Sequence, residues 1–178
     1  MASAVNMLGD VHGGAGEQCL EMMQKVKELL DQGGRLEEAV SEEIANHRQT
    51  KGKYIPGFGH RFHKPEDPRA PRLMKLVSDA EGDKIVSGNF MRIGLEIQRQ
   101  LNHGKSTGIA MNIDGATAVI FGELGFAPPL ARGLFCLSRS VGILAHAWEQ
   151  KNQGGRNKGP TPPEFLWNYS GKNPLTEG

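Results

Sequence analysis

Cysteine is scarce in this chain of 178 residues: Cys19 and Cys136 are the only two. They stand far apart, each inside an apolar helical pattern. Two buried thiols in a reducing cytoplasm fit that placement, and one disulfide between them is the alternative. Charge of one sign is also missing. Lys and Arg total 21 against 20 Asp and Glu, a net +1. That balance excludes the broad basic surface expected of a nucleic-acid binder and the polybasic anchor expected at a membrane surface. No apolar run approaches the ~20 residues needed to span a bilayer. The first residues, Met1-Ala2-Ser3-Ala4-Val5-Asn6, lack the basic and apolar segments of a signal peptide. Aromatics are only 6% of the chain, but apolar residues reach 38%, enough for a core in one domain, or one and a fraction. The expectation is a cytoplasmic protein that binds neither nucleic acid nor membrane.

Glycine, by contrast, is abundant at 24 residues. The glycines fall between strongly patterned segments, which points to helix ends and backbone-mediated contacts, not disorder. Three- and four-residue spacing predicts a helix over 16–30, with Cys19, Met22, Met23, Val26, Leu29 and Leu30 on one face and Gly33-Gly34 as its stop. Further helices are predicted over 36–47, from Pro71 onward, over 89–101 and over 116–124. The longest pattern opens at Pro128-Pro129 and runs to about Gln150. Its stripe of Leu130, Leu134, Leu137, Val141, Leu144 and Trp148 is flanked by further apolar residues. Such a helix is expected to be buried, in a core or against a partner chain. Beyond Gly154-Gly155 the prolines predict an extended tail, with Trp167 and Tyr169 to dock it. Strands and repeats have no convincing signature. The fold class is all-α.

Several motifs fail. His103-Gly104-Lys105-Ser106-Thr107 ends like a phosphate-binding loop, but Arg99 stands where its first glycine belongs. His60 and His63 have the spacing of a metal pair. Asp67 is a weak third ligand and no fourth follows, so no metal site is assigned. Neither cysteine has a neighbouring histidine, and no serine sits in a nucleophile elbow.

Others survive. Residues 56–70 pack glycines, prolines, histidines and charges together almost without periodicity, and read either as a solvated loop or as a site. In the second reading His60 carries a proton and Arg69 binds a carboxylate. His12-Gly13-Gly14-Ala15-Gly16 precedes the first amphipathic helix, where exposed amides favour an anionic oxygen and His12 is expected to donate a hydrogen bond as a neutral ring. It could equally be a glycine-rich turn. Asp114 sits at a helix start, as an N-cap or as a base. Arg139 lies inside the apolar helix and must find an anion, in a structural salt bridge or in a ligand. Together these are the parts for carbon–carbon chemistry beside a carbonyl. A carboxylate takes an α-proton, histidines serve the enol and the keto oxygen, and arginines hold carboxylates.

These segments resemble the citrate synthase superfamily, and its short citryl-CoA-lyase-like branch most of all. The matching motifs are His12-Gly13-Gly14-Ala15-Gly16-Glu17, Pro56-Gly57-Phe58-Gly59-His60-Arg61 through Asp67-Pro68-Arg69-Ala70, Asn112-Ile113-Asp114-Gly115, and Ser138-Arg139-Ser140-Val141-Gly142 with Ala145-His146. The resemblance implies a carbon–carbon lyase or synthase acting on acetyl-CoA and oxaloacetate, by citryl-CoA cleavage or citrate formation. A non-catalytic dimeric scaffold is the alternative. It implies His12, His60 and Asp114 as catalytic residues and Arg69, Arg139 and Arg156 as carboxylate ligands. Arg156 would come from the other subunit, with Lys158 as a competitor. Ile55, Gly57, Lys64 and Asn112 would contact coenzyme A, a substrate here, with no tightly bound cofactor. A homodimer through the long helix is implied. So is a division into residues 1–13 at the large-domain edge, 14–125 as the small domain, and 126–178 as returning large-domain helices and tail. The family's large domain would begin well before His12, so its missing helices are expected to be truncated away or supplied by another chain. Gly115-Ala116-Thr117 replaces an aromatic-containing stretch of the full synthases and leaves more room beside the base.

Overall fold

The computed structural model describes residues 2–64, 66–104 and 108–154. Seven helices follow in order: α1 (Ala2–Val5), α2 (Ala15–Asp31), α3 (Leu36–Thr50), α4 (Arg69–Gly82), α5 (Asn89–Asn102), α6 (Ile113–Glu123) and α7 (Pro128–Asn152). Two isolated β-bridges are the only extended pairing among the described residues. The all-α expectation holds, and the six predicted helices each lie within a few residues of α2 to α7. The expected tail, with Trp167 and Tyr169, lies outside the described residues.

α2 is the axis of the molecule, because its apolar stripe is wide enough to be covered on several sides. Cys19, Leu20, Met22, Met23 and Val26 are all buried, and α3, α5, α6 and α7 pack around them. Its end is a Schellman motif. Gly33, at φ +92°, donates to Leu30 O at 3.0 Å, and Gly34 donates to Leu29 O at 3.0 Å, a geometry that favours glycine at the left-handed position. Glu123, at the end of α6, caps α5 from outside: its carboxylate accepts from the Gly88, Phe90 and Met91 amides at 2.9, 2.7 and 3.2 Å. The amides that a helix start leaves unpaired are thus satisfied by a neighbouring helix.

One expectation changes, and for α7 only burial in this chain's own core is excluded. Within this chain α7 is not a buried helix: Ala131 is its one buried residue, while Leu137, Val141, Leu144 and Trp148 are 56–69% exposed. The apolar stripe of α7 beyond Ala131 therefore lies outside the buried core of this chain. For the same reason Cys136 is half-exposed; both cysteines are free, and only Cys19 is buried.

Candidate active site

The loop over residues 56–59 lies against residues 110–112. Gly59 N donates to Ala110 O at 2.7 Å and Asn112 N donates to Gly57 O at 3.0 Å. This approach needs glycine on both sides. Gly57 has φ +82°, and a Cβ there would stand 2.6 Å from Cys19 Sγ and 2.8 Å from Gly115 Cα. A Cβ on Gly115 would run into Gly57 O. The loop is thereby pressed onto the first turn of α6.

Asn112, not Asp114, caps that helix. Its Oδ1 accepts from Asp114 N at 2.9 Å and Gly115 N at 3.2 Å, and its Nδ2 donates to Gly59 O at 2.6 Å. Asp114 is the second residue of α6, half-buried, and its carboxylate accepts no hydrogen bond among the described residues. Burial lifts its carboxyl above the ordinary carboxylate range; Arg69, His60 and His12 act against that rise, and Asp67 adds to it. A half-buried carboxylate with raised proton affinity and cationic neighbours is a recognised mark of a functional site.

Asp67 carries a duty the sequence reading did not assign. It is buried, and its Oδ1 and Oδ2 accept from Arg69 Nε at 2.9 Å and Nη2 at 2.8 Å. Its Oδ1 also accepts from Arg69 N at 3.1 Å and its Oδ2 from Ile113 N at 3.0 Å. The paired hydrogen bonds from Arg69 hold its carboxyl far below the ordinary range, and the backbone bonds to Arg69 and Ile113 add to them. Asp67 therefore fixes the Arg69 fork and ties it to the start of α6, so its weak candidacy as a metal ligand gives way to this role. The acid two residues before Arg69 is the one sequence signal that could have pointed to it.

His60 Nδ1 accepts from the amides of Phe62 and His63, both at 3.1 Å. In the neutral ring this places the proton on Nε2, as a donor. Its ring lies against that of His63, centroids 4.4 Å apart. His12 is exposed, with its Nε2 3.3 Å from Arg139 Nη1. Arginine only donates, so this Nε2 accepts and a neutral ring carries its proton on Nδ1. Beside it Gly13, at φ +101°, leaves room for Phe135, whose Cε1 would lie 2.8 Å from a Cβ. Arg139 is exposed and makes no carboxylate pair among the described residues; its guanidinium lies 5.0 Å from the Phe135 ring centre. The structural salt bridge is thus absent, and a cation–π contact takes its place.

Two clefts meet this region. One of about 350 Å³ lies between α6 and α7 and is lined by Arg69, Asp114, Thr117, Phe121, Leu134 and Arg139, among others. A larger one of about 640 Å³ is lined by His47, Lys51, Tyr54, Ile55, Pro56 and Arg132, among others. Of the four residues expected at coenzyme A, Ile55 lines the larger cleft. Gly57 and Asn112 line neither cleft and serve as backbone contact and cap, and Lys64 is exposed and lines neither cleft. Arg156 lies outside the described residues. Arg132 is a further residue the sequence does not single out: it pairs with Asp10 at 2.5 Å and with Glu17, tying the loop that carries His12 to α2 and α7. His47 Nε2 lies 3.1 Å from Tyr54 O and pins the start of the glycine loop.

The profile of the family described as citrate synthase, C-terminal domain, matches residues 1–160. The chain belongs to the citrate synthase family. It is 31% identical over 157 residues to the citrate synthase of Acidithiobacillus ferridurans, an alignment covering 87% of this chain and 38% of that protein. Among solved structures, the citryl-CoA lyase of Hydrogenobacter thermophilus superposes with a TM-score of 0.73 at 30% identity, covering 97% of this chain and 63% of that one. The citrate synthase of Thermotoga maritima superposes with a TM-score of 0.63 at 28% identity, covering 96% and 44%. This family member thus spans about two fifths of the curated relative's length. No helix among its described residues is long and apolar enough to cross a membrane.

Proposed function

We propose that this chain makes or breaks the carbon–carbon bond between the α-carbon of acetyl-CoA and the keto carbon of oxaloacetate, through an enolate. The observation that carries this reading is Asp114: a carboxylate freed from capping, half-buried, with raised proton affinity, and in electrostatic reach of His12, His60 and Arg69. In condensation Asp114 takes one α-proton and His12 donates from Nδ1 to the thioester oxygen as it gains charge. The enolate carbon attacks the keto carbon, its C=O π pair moves to oxygen, and that oxygen takes the proton of His60 Nε2. The product is a citryl-CoA-type thioester. Cleavage is the reverse: His60 takes the hydroxyl proton, the bond breaks, and Asp114 returns a proton to the enolate. Arg69 and Arg139 hold the carboxylates, joined by Arg156 of a second copy. Coenzyme A lies along the larger cleft at Ile55, with Gly57, Lys64 and Asn112 as further contacts.

In the same reading residues 14–125 form the small domain and 126–178 return to the large one. Two copies associate through α7, whose exposed Leu137, Val141 and Leu144 support that arrangement. The test is proton exchange. Wild-type protein incubated with acetyl-CoA and oxaloacetate in D2O is expected to deuterate the acetyl methyl group, and Asp114→Asn to slow this roughly 10²–10⁴-fold. Undiminished exchange in that variant would overturn the assignment. A wild-type chain that exchanges nothing and binds neither coenzyme A nor oxaloacetate by calorimetry would be a scaffold.

A further inference from the structure

Residues 109–112 run as a short extended segment between α5 and the glycine loop, and their backbone groups alternate between the two. Successive residues of an extended chain turn their N–H and C=O to opposite sides. Ala110 and Asn112 face the loop: Ala110 O accepts from Gly59 N at 2.7 Å, and Asn112 N donates to Gly57 O at 3.0 Å. Ile109 and Met111 face α5, and a helix keeps its backbone acceptors for itself. Side-chain amides of α5 stand in for a neighbouring strand. Asn102 Oδ1 accepts from Ile109 N at 2.5 Å, and Asn102 Nδ2 donates to Ile109 O at 3.0 Å. A further bond from Asn102 Nδ2, to Gln98 O at 2.9 Å, braces this amide on the helix. Gln98 Oε1 accepts from Met111 N at 2.6 Å. Gln98 and Asn102 stand four residues apart and so share one face of α5. The Met111 side chain is buried and fills the room that Gly94 leaves on the same helix, where a Cβ would stand 2.7 Å from Met111 Cε.

The segment therefore reaches two of the three proposed catalytic residues at once. Gly59, held by Ala110 O and by Asn112 Nδ2, immediately precedes His60, and Asn112 caps the helix that carries Asp114. That helix start has a second anchor, because Asp67 accepts from Ile113 N. We propose that Gln98 and Asn102 are positioning residues: they hold residues 109–112 as a template that keeps His60 in register with Asp114, so that the enolate formed at the base goes on to the new carbon–carbon bond. The proposal rests on the acetyl-CoA and oxaloacetate chemistry above and adds two residues that reach it only through others. The proton steps are unchanged. A displacement of about 1 Å at a reacting group costs up to about a hundredfold in rate. The effect falls on bond formation, which needs both residues, and spares the α-proton exchange that needs Asp114 and not His60.

Two rates should be compared on the full chain with acetyl-CoA and oxaloacetate: deuterium entering the acetyl methyl group in D2O, and oxaloacetate consumed. Gln98→Met keeps the side-chain length but removes the amide acceptor, and is expected to lower the ratio of condensation to exchange about tenfold to a hundredfold. Loss of folded protein lowers both rates together and leaves that ratio where it was. Gln98→Glu, which keeps an oxygen at the same reach, should restore the ratio toward wild type. Asn102→Ala, at the outer end of the segment, should shift it in the same direction as Gln98→Met, and decides the matter if Gln98→Met does not fold. A ratio that neither Gln98→Met nor Asn102→Ala moves, or that Gln98→Glu lowers as far as Gln98→Met does, overturns the inference while the proposed reaction stands. Wild-type protein that neither exchanges nor condenses overturns both.

Discussion

The carboxylate of Asp114 is available for chemistry because its neighbour two residues back does the capping. Asn112 satisfies the amides of Asp114 and Gly115, and the base is left in a half-buried position that raises its pKa. A raised carboxyl makes the folded state most stable when protonated. That contribution is present below the ordinary value of 3.8 and lost as pH rises through the raised one. Asp114→Asn is therefore expected to melt higher than wild type at pH 7 while losing proton exchange, the gap in melting temperature closing toward acid pH. Thermal melts between pH 3.5 and 7 read this directly. Asp67 has the opposite sign. Its depressed carboxyl contributes stability above its ordinary 3.8, lost as pH falls through the lowered value. Asp67→Asn should cost about 2–3 kcal/mol in urea unfolding at pH 7, since it leaves amides and the Arg69 fork without their charged acceptor. It should also weaken oxaloacetate binding, because Arg69 is no longer aimed. Asp114 and Arg69 are legible as chemistry in the sequence, each a charged residue beside glycine or proline. The role of Asp67 is not, because its acceptor duty toward Ile113 spans 46 positions and exists only once the loop meets α6.

Between elements, the site depends on two seams. One is the backbone contact of Gly57 with Gly115, which sets the glycine loop on α6. Gly115→Ala places a Cβ against Gly57 O and Met111, and neither a carbonyl in a paired loop nor the buried Met111 yields cheaply. Loss of about 1–3 kcal/mol is expected, with faster amide exchange over residues 57–59 by hydrogen–deuterium exchange. The other seam is Arg132, which joins Asp10 and Glu17 across α7, the His12 loop and α2. Arg132→Gln leaves the largely buried Glu17 without its cation. It should raise amide exchange over residues 9–13 and KM for the thioester, with the helices otherwise intact by circular dichroism. Periodicity announces each helix separately, but neither seam, because helical spacing says which face is apolar and not which loop will lie on it.

At the scale of the whole molecule, α7 decides what the chain needs. Leu137, Val141, Leu144 and Trp148 form an exposed apolar stripe along α7, the kind of surface that marks an interaction site. The proposed homodimer covers it. Val141→Glu with Leu144→Glu is expected to halve the mass measured by light scattering at micromolar concentration, and to abolish turnover if Arg156 reaches the partner's site. An unchanged mass would mean the dimer forms elsewhere or not at all.

The sequence by itself determined the helix content, the central α2 stripe and the identity of the chemical groups, because local spacing and residue type carry that information. It also supplied the glycines at 13, 57 and 115, whose absent side chains are visible without a structure. Only the tertiary structure decided which side chain caps α6 and which carboxylate is free, that the outer stripe of α7 leaves the core of this chain, and that Arg139 faces His12 and an aromatic ring in place of a carboxylate. Each of these depends on which distant segments come within a few ångströms of each other. Burial, capping and pKa are properties of that meeting and not of any residue alone.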